Sequence, residues 1–155
     1  MLKIFEAKTE KDIKNSEMLF LEYADSLGFD LSFQNFEEEL ANLPGDYAPP
    51  TGCLLLADYN GQPAGCVALR KISNDICEGK RLYVRPQFRG FKIGRKLMET
   101  LIAEAKHIGY KHIRGDTLPS MKEARKLYAS LGFREIEPYR YNPIEGAIFL
   151  ELKLE

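Results

Sequence analysis

Apolar and polar positions change period along the chain, and the changes divide it into elements. Residues Leu2 to Ala7 alternate, which predicts a first strand. Thr9 followed by Asp12 reads as the capped start of a helix, with Ile13, Met18, Leu19, Leu21 and Tyr23 on its apolar side and Gly28 at its end. A second helix is expected from Ser32 to Leu43, with Phe33, Phe36, Leu40 and Leu43 on one stripe, Glu37 to Glu39 solvated, and Pro44-Gly45 stopping it. After a loop from Asp46 to Gly52, Cys53 to Tyr59 is a strongly apolar strand. Asn60-Gly61 is a two-residue hairpin signal leading into a partner strand from Gln62 to Lys71. A turn at Ser73-Asn74-Asp75 precedes a third strand from Ile76 to Val84, with Gly79 as a candidate bulge position.

Beyond Val84 the period lengthens. A polar turn from Arg85 to Gly90 leads into a long amphipathic helix from Ile93 to His107, closed by Gly109. A strand from Lys111 to Thr117 follows. Next comes a helix from Ser120 to Leu131, with Ser120 and Glu123 as a capping pair and Gly132 at its end. Phe133 to Ile136, a long loop from Glu137 to Gly146, and an alternating strand from Ala147 to Leu154 complete the chain. Hairpin-linked strands followed by strand-helix-strand imply a mixed α/β sheet, antiparallel first and then with one parallel crossover.

Composition narrows the reading. With 155 residues, 45% hydrophobic and 29% charged, the chain suits a single soluble domain spanning 1–155. A formal net charge of -1 gives no global basic field for nucleic acid. The basic residues cluster locally instead, from Arg81 to Lys96, which points to a local anion. Three cysteines, Cys53, Cys66 and Cys77, lie in apolar strand-like runs and match no zinc spacing. Reduced thiols in a cytoplasmic protein, with no metal, are the expectation. No leader-like segment or membrane-length apolar run is seen, so no membrane partner is expected.

The candidate chemistry lies at Arg89-Gly90-Phe91-Lys92-Ile93-Gly94-Arg95. A strand, a glycine-bearing turn and a helix start form a recurring anion site, because the first N–H groups of a helix lack partners and carry the positive end of its dipole. Neither a P-loop nor a dinucleotide fingerprint fits the glycine spacing. The local alternative is a basic, solvated helix start without a ligand.

Two longer motifs carry a resemblance. Leu82-Tyr83-Val84-Arg85-Pro86-Gln87-Phe88-Arg89-Gly90-Phe91-Lys92-Ile93-Gly94 resembles the acetyl-CoA motif of the GCN5-related N-acetyltransferase (GNAT) superfamily, Arg/Gln-x-x-Gly-x-Gly/Ala after a strand ending Leu-Tyr-Val-x-Pro. Ala124-Arg125-Lys126-Leu127-Tyr128-Ala129-Ser130-Leu131-Gly132-Phe133 resembles its second signature, Ala-x-x-Leu-Tyr-x-x-x-Gly-Phe. Lys92 stands where the first glycine is usual and Met121 where asparagine is usual.

The resemblance implies a mostly antiparallel sheet with a splayed parallel pair, flanked by helices. It implies acetyl-CoA as acyl donor, lying between the strand that ends at Val84 and the strand Lys111 to Thr117. Leu82, Val84, Arg89 to Arg95 and Tyr128 would border the donor. By resemblance the Val84 N–H would face the thioester carbonyl and Tyr128 would protonate the departing thiolate. Glu78, six residues before Val84, is the candidate base. An even offset would set the two on one face unless Gly79 bulges, and a solvated strand carboxylate is the alternative. Tyr47, Arg70, Arg140, Tyr141 and Asn142 are candidate acceptor contacts. The expected partner is a small-molecule primary amine, and the expected state is monomer or homodimer. A peptide acetyltransferase and a non-catalytic acyl-CoA sensor are the competing readings.

Overall fold

The computed structural model describes residues 1–28 and 35–154. Elements run β1 (Leu2–Glu6), α1 (Glu10–Leu27), α2 (Phe36–Ala41), β2 (Cys53–Tyr59), β3 (Gln62–Lys71), β4 (Ile76–Val84), α3 (Ile93–Ile108), β5 (His112–Thr117), α4 (Lys122–Ser130), β6 (Arg134–Ile136) and β7 (Ile148–Lys153). Among the described residues the strands form one sheet in the order β1-β2-β3-β4-β5-β7-β6. Every neighbouring pair is antiparallel except β4 with β5. The mixed sheet expected from the sequence is therefore the one observed. The second helix is shorter than expected, starting at Phe36, and its expected start over 32–34 lies outside the described residues.

Local chemistry accounts for the element ends. Thr9 caps α1 by accepting from the Asp12 N–H, while the Asp12 carboxylate accepts from Thr9 N–H at 3.1 Å. At the β2–β3 hairpin Asn60 and Gly61 both take positive φ, 52° and 85°, as the type I′ turn demands. The apolar run of β2 does not alternate because that strand is covered on both faces. Cys53, Leu55 and Ala57 pack toward α3, whereas Leu54 and Leu56 pack toward α1.

Two cores result. On one face α3 buries Ile93, Leu97, Met98, Leu101 and Ala105 against β2 to β5, and Leu127, Tyr128 and Leu131 bring α4 to the same side. Leu97 and Leu101 are fully buried, a burial worth roughly 1.5–3 kcal/mol for each side chain. On the other face Leu19 and Phe20 of α1 and Phe36 of α2 pack over β2 to β4.

Candidate active site between the diverging strands

β4 and β5 pair only through Ile76–His112, Cys77–Ile113 and Glu78–Arg114. Beyond that point the strands separate. The cause lies in β4. Its register against β3 runs Tyr83–Cys66 and then Lys80–Ala68, so β4 holds one extra residue, and Arg81 there takes a left-handed φ of 64°. Such a bulge bends its strand. It sits at Arg81, not at the candidate position Gly79. The extra residue also reverses the facing of later side chains. Val84 packs with the α3 core, whereas Glu78 lies beside Arg70 on the α1 side. The common face that an unbulged strand would give Glu78 and Val84 is thereby lost.

A slot of about 50 Å³ lies in the divergence, with Lys80, Arg81 and Leu82 on one wall and Asp116, Thr117 and Tyr128 on the other. It adjoins a chamber of about 610 Å³ through Leu82, Leu118 and Met121. The chamber is bordered by Val84, Arg89, Gly90, Lys92 and Gly94. Val84 therefore lines the chamber rather than the slot that holds Tyr128.

Two helix starts face the chamber, and neither has a side-chain cap. Lys92 is the N-cap of α3, and its φ of 62° and ψ of 26° are left-handed rather than helical. The helix first closes on itself at Lys96 N–H to Lys92 C=O, 3.2 Å, which leaves the N–H groups of Ile93, Gly94 and Arg95 without intrahelical partners. At α4 the N-cap is Met121, and the capping bond expected from Ser120 is not formed. Lys122, Glu123 and Ala124, the first turn of α4, border the same chamber. Two positive helix ends plus Arg89, Lys92 and Lys122 suit a large multivalent anion. Gly94 keeps the floor low, since a Cβ there would already reach Val84 and Leu127 at 3.7 Å. Phe91 and Arg95 point elsewhere. Phe91 is half exposed and stacks on Tyr59 at 5.2 Å, and Arg95 bonds Ser130 and pairs with Glu99 at 3.7 Å.

Tyr128 packs edge-on against Phe133 at 5.3 Å. Burial pushes its phenol above the ordinary value, so it stays protonated through the neutral range. Glu78 is fully buried. Its Oε1 accepts from Arg70 Nε at 2.8 Å, and its Oε2 accepts from Tyr139 OH at 2.6 Å and Arg140 Nε at 2.9 Å. Burial pushes its carboxyl up, but Lys80, Arg140, Arg70 and the Tyr139 hydroxyl outweigh burial and hold it below the usual carboxylate range. Glu78 is neither solvated nor poised to take a proton, because three donors already fix its charge. Burial, then Arg81, lowers the Lys80 ammonium to about 7.

The remaining candidates scatter. Arg70 and Arg140 both meet at Glu78, and Arg140 Nη2 also lies 2.9 Å from Asp116 Oδ1, a close ion pair without good hydrogen-bond angles. Asn142 donates to Asp116 Oδ2 at 3.1 Å. Tyr47 is a core residue under α2, and Tyr141 is exposed. Asp116, Lys80 and the Arg81–Glu39 pair escaped sequence reasoning. Glu39, expected in solvent, accepts from Arg81 Nη2 at 2.8 Å and from its Nε at 2.9 Å. The loop 139–143, too aromatic in sequence for plain solvent exposure, packs Tyr139 against Phe149 and brings its hydroxyl to Glu78. Among the described residues no three His, Cys, Asp or Glu side chains gather as metal ligands, and no helix is long and apolar enough to cross a membrane.

Known proteins share this fold and stretches of its sequence. The sequence profile of the acetyltransferase (GNAT) family matches residues 16–133. An uncharacterised N-acetyltransferase of Schizosaccharomyces pombe is 40% identical over 155 residues, covering 99% of this chain and 95% of its own. The crystal structure of a GNAT-family acetyltransferase from Staphylococcus aureus superposes with a TM-score of 0.83 at 22% identity, covering 100% of both chains. YncA of Salmonella typhimurium, solved with its cofactor acetyl-CoA, superposes with a TM-score of 0.70 at 19% identity over 99% of this chain and 94% of its own. The chain belongs to the acetyltransferase (GNAT) family and is an N-acetyltransferase.

Proposed function

We propose that the protein transfers the acetyl group of acetyl-CoA directly to the primary amine of a small molecule. The observation that carries this reading is the adjacency of the slot and the chamber, which share Leu82, Leu118 and Met121. The chamber is bordered by two uncapped helix starts and by the end of β4, and the slot beside it contains Tyr128. The donor's pyrophosphate fits the helix starts, with Arg89 and Lys92 beside it. Its arm fits along Leu82 and Val84, whose strand has no β5 partner there. The thioester supplies an activated acyl carbon when bound.

The protein's own groups supply the rest. The backbone of β4 at Arg81 and Leu82 borders the slot that holds Tyr128, and the developing oxyanion is assigned to this stretch of β4, between the slot and Val84 in the chamber. Tyr128, held protonated, donates to the departing sulfur. The narrow slot favours a slender amine over a folded protein surface. Titration calorimetry with acetyl-CoA, followed by a thiol-release screen over small amines and peptides, tests the reading. Saturable acetyl-CoA binding with turnover of small amines is the expected result. Turnover of peptides alone would move the acceptor to protein termini, and binding without turnover would make the protein an acyl-CoA sensor.

A further inference from the structure

We propose that Asp116 binds the ammonium group of the acceptor and takes its proton, a role that rests on the acetyl-transfer reading above. An amine reaches the enzyme largely as ammonium, which has no lone pair, so a group in the slot must remove a proton before attack. Among the described residues lining the slot, Asp116 is the one carboxylate. It stands on β5 two residues beyond the last β4 pairing, where the strands have parted. Tyr128 lines the same slot.

Glu78 cannot serve in its place. Its side chain is 0% exposed and its two oxygens hold three donors, whereas Asp116 is 15% exposed. The two Asp116 oxygens meet Arg140 and Asn142, one each. A carboxylate offers about four acceptor positions, so room is left for an ammonium.

The surrounding charges permit a cation there. Tyr23 comes from α1, Lys80 and Arg81 from β4, Tyr128 from α4, and Arg140 and Asn142 from the loop before β7. Arg81 spends its guanidinium on Glu39, and Arg140 shares its own with Glu78. Burial lowers Lys80 to about 7, which weakens its repulsion of an incoming ammonium near neutral pH. Glu78 then acts through Arg140 as a positioning residue that orients the Asp116 carboxylate.

The proton account closes. One ammonium proton passes to Asp116. The amine nitrogen forms its bond to the acyl carbon as the C–S bond breaks. Tyr128 gives its phenolic proton to the sulfur, and the second nitrogen proton replaces it. Asp116 returns its proton to water as product leaves.

Asp116→Asn tests the assignment, because the amide keeps the size and can still accept from Asn142. Thiol release is measured with acetyl-CoA and the best primary amine from a panel of alkylamines and amino acids, across pH. The expected result is a fall in kcat/KM of about 100-fold at neutral pH, with calorimetric acetyl-CoA affinity unchanged. The deficit should shrink about tenfold by pH ~8 and nearly close by pH ~9, because the free-base fraction of an alkyl ammonium with a pKa of ~10.4 rises about tenfold per pH unit there. A deficit that stays constant with pH, or no deficit, overturns the Asp116 role while leaving acetyl transfer intact. Wild-type protein that binds acetyl-CoA but turns over no amine overturns both.

Discussion

Lys92 occupies a backbone conformation that glycine adopts freely and that costs an L-residue about 1 kcal/mol. What its neighbours offer the chamber is mainly backbone, the N–H groups of Ile93, Gly94 and Arg95. Lys92→Gly should therefore raise stability by about 1 kcal/mol in urea unfolding and leave acetyl-CoA affinity within a few-fold. A large loss of affinity would show that the ammonium grips phosphate itself. Tyr128→Phe separates chemistry from binding in the same way. It should lower kcat by about 100-fold while calorimetric acetyl-CoA affinity holds, and full turnover in that variant would remove Tyr128 from the reaction. Both residues were legible in the sequence, because each lies in a contiguous motif whose neighbours stay neighbours after folding. Asp116 was not, because its partners Arg140 and Asn142 arrive from a loop more than twenty positions away.

At the scale of the element, β4 decides the site. Its hairpin partner and its end at Val84 followed from apolar spacing and turn residues, but its bulge did not. Gly79 carried the usual sign of irregularity, and the chain instead bends at Arg81, whose bidentate hold on Glu39 and stacking over Phe36 at 5.3 Å fix the irregular backbone. Such tertiary anchoring leaves no local signature. The same strand carries Glu78, whose ion pairs fasten β3, β4 and the loop before β7 together. Glu78→Gln should cost about 3 kcal/mol of stability at neutral pH. The folded carboxyl lies below its unfolded value of about 4.3, so this contribution is complete above that pH and is lost as pH falls through the folded value. Unfolding curves of wild type and variant should converge in acid, and a gap that persists there would refute the ion-pair origin. At the start of α3, Gly94→Val should reduce acetyl-CoA affinity by about 100-fold with little change in Tm. The added Cβ makes only ordinary contacts with Val84 and Leu127, and Gly94 lines the chamber that a larger side chain would narrow.

Across the whole molecule the sheet is two blocks, β1 to β4 and β5 to β7, and between them the ladder spans three residue pairs. α3 and α4 lean on both blocks from one side. A ligand lying along the open part of β4 would complete what the polypeptide leaves undone. Saturation at 100 times Kd stabilises a folded state by about 2.7 kcal/mol. Protease half-life should lengthen with acetyl-CoA present, and cleavage without ligand should begin near the parted strands. If both hold, the acyl donor serves as a removable seam, and how long the enzyme survives becomes a readout of how much donor surrounds it.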